Sequence, residues 1–451
     1  MTRLNKKLGF VCFFVFASCQ KEQSSEILSK TANTQPTVQK LDLNDVTVLL
    51  PLGKGDEIGK MISLSGKDSA QKSYTFLSND LFSKIQKAAL SQEISFNGRE
   101  ALSYNAWKIV GFRFDPCFPV ARLESPQDCD SAELRLVAQP IKIVQVAVDQ
   151  ESLGIKKPSP PPGEKKQTEA PVEDLPQDKN VKLETLTLTE DNSMHLIFKV
   201  SMENRQKIAR ELSVLAAHSP VSTAGKPLGV HPGLAKSGVG GNYYNEFLSF
   251  LTQNLTSANL KQVAFMGTKN GIEPWVFFFV TVNGNSISAP KDMSSMGNFS
   301  SNKSPDAKAP RSNRFTIQPA PKAKDNALKV MDSEAGPLSD LDIEVTSRID
   351  NPLINSQGST DCSSCHTSTT SRINWEKSNP VKLSPLQSAS SFLNNSIAKE
   401  FGNANIDVNF QFSTSWSLRN FGYMEMSPFI ATRTLNETIL HAAFINKHFM
   451  K

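Results

Sequence analysis

Cysteine and histidine are scarce in this chain, with 6 of each among 451 residues. His195, His218, His231, His441 and His448 form no cluster with metal-like spacing, and neither do the remaining cysteines. A zinc site built on a Cys-x-x-Cys pair would therefore lack its other two ligands. Long hydrophobic runs are missing too: Leu8 to Phe16 falls short of the roughly twenty apolar residues that cross a bilayer. No serine elbow or zincin motif occurs, which removes the hydrolase classes those motifs mark. Gly238-Val239-Gly240-Gly241 lacks the third glycine and the strand–helix setting of a dinucleotide loop, so it reads as a turn. An excess of one sign of charge is missing as well. The formal net charge is +5, and loss of residues 1–18 with Arg3, Lys6 and Lys7 brings it to +2. That balance offers nothing to hold nucleic acid.

The N-terminus pairs a basic start with the short apolar run, the pattern of a signal peptide over residues 1–18. The run ends Phe16-Ala17-Ser18-Cys19, which resembles the lipobox of bacterial lipoproteins. That resemblance implies lipidation at Cys19, and Gln20 after it implies an envelope protein anchored in the outer membrane and facing the periplasm. Residues 19–40 are polar and aperiodic, as a lipidated tether would be.

Asp361-Cys362-Ser363-Ser364-Cys365-His366 is the most informative stretch. Cys-x-x-Cys-His is the sequence that holds c-type haem covalently. Two thiols three residues apart share one face of a helical turn, so Cys362 and Cys365 can reach both vinyl groups of one porphyrin. His366 then offers its imidazole to the iron as proximal ligand. A redox disulfide or half a zinc site are the competing readings of the pair. With haem on Cys362 and Cys365, Cys117 and Cys129 remain to pair with each other in an exported, disulfide-permissive setting. Such a bridge contributes about 3 kcal/mol on the chain-entropy estimate.

Alternating apolar residues predict strands at Val46–Leu50, Trp107–Phe114, Glu133–Ala138 and Ile141–Val148, with Pro140 breaking or bulging the run. Further strands are expected at Leu183–Thr189, His195–Val200, Gln262–Met266 and Trp275–Val282. Helices are expected over 76–90, 204–218 and 243–255. Residues 151–182 are rich in Pro and charge, and residues 291–335 in Ser, Asn, Pro and Lys, so both read as linkers or insertions.

Near the C-terminus, Met426-Ser427-Pro428-Phe429 resembles the methionine-x-proline-phenylalanine segment of class I c-type cytochromes. In that family the segment supplies the distal methionine and precedes a helix against the haem edge, which implies Met426 as sixth ligand. Met424, His441 and His448 are the alternatives, as is a five-coordinate iron. Thr434-Leu435-Asn436-Glu437 reads as a capping box opening a helix to about Lys447.

These readings predict an α+β N-terminal region, with a β-rich part at 41–150 and an α+β part at 183–290. A mostly α, cytochrome c-like domain, or a divergent form of one, is expected at 336–451. The implied function is one-electron transfer at the cell envelope by a lipoprotein with one covalent haem c and a redox protein as partner, a carrier more than a catalyst. The alternative is a non-redox envelope protein that binds or builds, with a Cys362–Cys365 disulfide.

Overall fold

The structure is a computed structural model. It describes residues 39–96, 98–118, 125–126, 129–149, 181–190, 192–269, 275–289, 298–299, 340–355, 365–366, 368–369, 372, 392, 396–401 and 420–451. The expected signal peptide, Cys19 and Cys362 lie outside the described residues.

Fourteen strands occur among the described residues. In chain order they are β1 (Thr47–Leu49), β2 (Ser65–Lys67), β3 (Ser73–Thr75), β4 (Ile94–Ser95), β5 (Trp107–Phe118), β6 (Ser131–Asp149) and β7 (Val181–Thr189). There follow β8 (Ser193–Val200), β9 (Leu260–Lys269), β10 (Trp275–Asn283), β11 (Ser286–Ser288), β12 (Asn298–Phe299), β13 (Phe421–Met424) and β14 (Ser427–Ile430). Ten of them make one sheet in the order β1-β5-β6-β8-β9-β10-β11, with β7 beside β6, β4 beside β9 and β12 beside β10. All its pairings are antiparallel. The two β-bearing regions read from sequence thus share one sheet, joined where β6 pairs with β8.

Pro140 does not break β6. It sits where the strand changes partners: pairing to β5 ends at Trp107↔Pro140, and pairing to β7 begins at Ile141↔Thr189. A residue without an N–H is tolerated at such a switch, and the Pro140 carbonyl accepts the Glu190 N–H.

One sheet face carries the main core. Along β8, Met194, Leu196 and Phe198 are buried and alternate with Ser193, His195 and Ile197, as a period of two requires. The inner set joins Phe112, Phe114, Leu134 and Leu136 against the helices Asn79–Leu90, Asn204–Ala217 and Asn242–Asn254. Phe82 and Phe96 meet Trp107 edge-on, as do Phe247 and Phe250 with Phe112. Cys117 and Cys129 are disulfide-bonded, tying the end of β5 to the approach to β6.

The C-terminal region departs from expectation. It is not a mostly α domain of its own: β13 and β14 form a hairpin, and the helix Thr432–His448 packs on β5. Leu435, Ile439 and Leu440 of that helix join Val137, Phe421 and Tyr423 in a second apolar cluster, while Ala442, Phe444 and Ile445 enter the main core. The expected capping box is also absent. The helix starts at Thr432, with Ala431 as its cap. Tertiary partners have claimed both capping residues: the Thr434 hydroxyl donates to the Asn420 carbonyl, and Glu437 accepts from Arg113 and Arg433. No helix among the described residues is long and apolar enough to cross a membrane.

One buried carboxyl gives the fold a pH dependence. Asp45 closes a one-turn helix, Leu43–Val46, by accepting the Asp42 N–H, and it also accepts the Thr223 hydroxyl. Burial pushes its pKa up to about 7, against the lowering effect of those two hydrogen bonds. Between its ordinary value and that one, the folded chain holds a proton that the unfolded chain releases, so stability falls as pH rises through this window. Asp45→Asn should therefore unfold at higher urea than the parent at pH 8 and lose that advantage by pH 4. The change spans up to about 4 kcal/mol. Equal pH slopes for the two proteins in urea titrations would refute this.

Candidate functional site

The second sheet face, opposite the helices, bears a cavity of about 400 Å³. Its wall is built by register. Val137 of β6, His195 of β8, Ala264 of β9 and Phe279 of β10 lie side by side across four strands, and all four line the cavity. The next row holds Ser193, Met266 and Phe277. Aromatic and aliphatic side chains on this face exist because something covers it: Cys365, His366, Phe421, Arg433 and Thr434 complete the enclosure.

Cys365 and His366 are both helical and half-buried. The Cys365 sulfur accepts the Asn420 side-chain amide at 3.2 Å. The His366 ring rests on Phe277, with ring centres 4.6 Å apart and planes tilted by 52°. His195 faces the same space. Burial, with the charges of His366, Arg135 and Arg113 adding to it, lowers its pKa to about 3, so its imidazole is neutral over the physiological range.

A charge cluster forms the polar end of the cavity. Asp115 is fully buried, and two guanidiniums and an imidazole surround it: Arg113 at 2.6 Å, Arg135 at 2.9 Å and His441 at 3.0 Å. Burial alone would disfavour its charge, yet Arg113, Arg135 and His441 outweigh that and hold its pKa well below the carboxylate range. Arg113 also reaches Glu437 at 2.7 Å, Arg135 reaches Glu133 at 2.8 Å, and Arg433 reaches Glu437 at 2.7 Å. Burial opposes the Arg113 charge as well, and Asp115 and Glu437 more than restore it. Three arginines and three carboxylates thus balance, as a buried ionic set must. The set joins β5, β6 and the helix Thr432–His448 into one rigid wall.

The residues singled out from sequence divide. Cys365 and His366 come to the cavity, and Cys362 lies outside the described residues. Met426 does not come to it: the residue is 50% exposed at the turn between β13 and β14. His441 is spent on Asp115, and His448 lies beside Phe444. His195, Arg113, Arg135 and Arg433 were not apparent as site residues. The available signal was periodicity, since His195 falls on the strand face opposite Met194, Leu196 and Phe198.

A thiol and an imidazole from consecutive residues, opening on an aromatic-lined cavity with a second imidazole on its wall, suit a flat apolar group bearing a metal. The described residues contain no group of three or more His, Cys, Asp or Glu able to hold a bare metal ion. No family model, curated protein or solved structure matches this chain.

Proposed function

We propose that this chain is an exported c-type haem lipoprotein that passes single electrons at the cell envelope. One observation carries the reading: the last two residues of the Cys-x-x-Cys-His run are helical and line a cavity that is aromatic and aliphatic on one side and ends in a charge cluster on the other. A haem bound there supplies reversible one-electron chemistry. Cys362 and Cys365 would hold it by thioethers, with His366 as proximal ligand. Phe277, packed on the His366 ring, fixes the imidazole's plane, and Asn420 steadies the Cys365 side chain. Phe265, Phe278 and Phe279 keep water from the interior, which together with the balanced charge cluster tunes how readily an electron enters. On this reading Cys19 carries the lipid anchor, on the outer membrane facing the periplasm, and the partner is another redox protein.

The test is haem-peroxidase staining after a denaturing gel, on chain exported from cells that mature c-type haem. The parent should stain with one haem per chain, and Cys362→Ser/Cys365→Ser should lose the stain entirely. An unstained parent, from cells that mature a control cytochrome, would overturn the reading and favour a binding or structural role with a Cys362–Cys365 disulfide.

A further inference from the structure

We propose that His195 is the second axial ligand, so that a strand imidazole faces the motif imidazole of His366 across the cavity. The inference rests on the haem reading above. His195 belongs to the outward set of β8, with Val137 and Ala264 as its cross-strand neighbours. Neither neighbour offers it a polar atom beyond the backbone, and its ring makes no hydrogen bond among the described residues. A half-buried imidazole between apolar cross-strand neighbours, turned into a cavity that another imidazole lines, has the chemistry of a ligand for a metal.

The rival donors are placed less well. Met426 is half-exposed at the hairpin turn, and His441 is held by Asp115. Met266 does line the cavity, but it is the direct cross-strand partner of Phe277, the ring on which His366 rests. It therefore stands beside the proximal residue. His195 stands two strands and one row from Phe277, about 12 Å between backbones by strand spacing, so it lines a different part of the wall from Met266 and Phe277. Imidazole ligation on both sides would give a low-spin iron and a lower potential than a methionine ligand gives.

The experiment compares visible, near-infrared and spin-resonance spectra of the full chain, matured with haem, for the parent and His195→Ala, His195→Met, Met266→Ala and Met426→Ala. The parent should be low-spin without the near-infrared sulfur–iron band. His195→Ala should still stain for covalent haem yet become high-spin, and imidazole added to the buffer should restore the low-spin spectrum. His195→Met, which keeps a similar volume should the alanine variant fail to mature, should acquire the sulfur–iron band and a raised potential. Met426→Ala should leave the spectra unchanged, and Met266→Ala should stay low-spin without the sulfur–iron band. A stained His195→Ala or His195→Met with the parent's low-spin spectrum would overturn the assignment while leaving covalent haem intact. A parent that carries the sulfur–iron band would overturn it too. An unstained parent would instead overturn the haem reading and this inference with it.

Discussion

Asp115→Asn is expected to lower the stability of the fold by about 3–5 kcal/mol, the range for breaking a buried charge set from one side. The carboxylate is fully buried and meets Arg113, Arg135 and His441 at 2.6, 2.9 and 3.0 Å. Its replacement leaves a cluster of three arginines with two carboxylates inside the protein. Arg113 keeps Glu437 and Arg135 keeps Glu133, so neither guanidinium is stranded, and the loss should lie toward the lower end of that range. The pH dependence identifies the cause. The folded-state pKa of Asp115 is depressed, so its contribution is present in full above the unfolded carboxyl's value, near 4, and disappears only as pH falls through the lower folded value. The difference between parent and variant in urea melts should be flat from pH 8 to pH 5 and shrink below pH 4. A difference under about 1 kcal/mol at pH 7 would mean that the cluster is not net stabilising. The effect should also reach the cavity, because Arg113, Arg135, Glu133 and Glu437 line it.

Local elements were legible from local pattern. The helix at Asn204–Ala217 follows from Ile208, Leu212 and Leu215, and β5 from the apolar alternation beginning at Trp107. What joined them was not legible. Val137 and His195 are cross-strand neighbours although 58 residues and a Pro-rich stretch separate them in sequence. Periodicity within either segment carries no information about that pairing. The C-terminal region misled for a related reason. Met426-Ser427-Pro428-Phe429 has the composition of a ligand loop, yet Pro428 pairs with Tyr423 in a two-stranded ribbon, where a missing N–H is tolerated. Thr434 and Glu437 have the spacing of a helix start, but their side chains found Asn420, Arg113 and Arg433 instead. At the site, Cys365 and His366 stood out because their motif is contiguous. A single histidine inside a strand announces nothing until the register sets it on a cavity wall.

Gly111→Ala should cost about 2–3 kcal/mol, the usual range for an overpacked site, and the reason lies in how the hairpin is moored. A Cβ at residue 111 would stand 2.2 Å from Cε1 of Phe421, a distance no packing tolerates. The clash cannot be relieved by sliding β13 away. Gln139 is fully buried and grips Tyr423 as a strand would, donating to its carbonyl at 2.9 Å and accepting its N–H at 2.7 Å. The Tyr423 hydroxyl donates to the Leu50 carbonyl at 2.6 Å, and the Thr189 N–H donates to Glu425 at 3.0 Å. Moving the backbone would sacrifice these bonds, each worth about 1 kcal/mol, so the strain falls on the Phe421 ring, itself buried. Trimming that ring should therefore rescue the variant. Phe421→Leu alone is expected to cost about 1–2 kcal/mol through the space it leaves, whereas Gly111→Ala/Phe421→Leu should be no less stable than Gly111→Ala. Additive losses in a double-mutant cycle would show that the backbone had yielded and that Phe421 was not the obstacle. Phe421 and its neighbour Asn420 line the cavity, and Asn420 holds the Cys365 sulfur. A displaced ring should thus disturb the thiol's surroundings as well as stability. The absence of a side chain at residue 111 is what lets the sheet and the C-terminal hairpin close over one cavity.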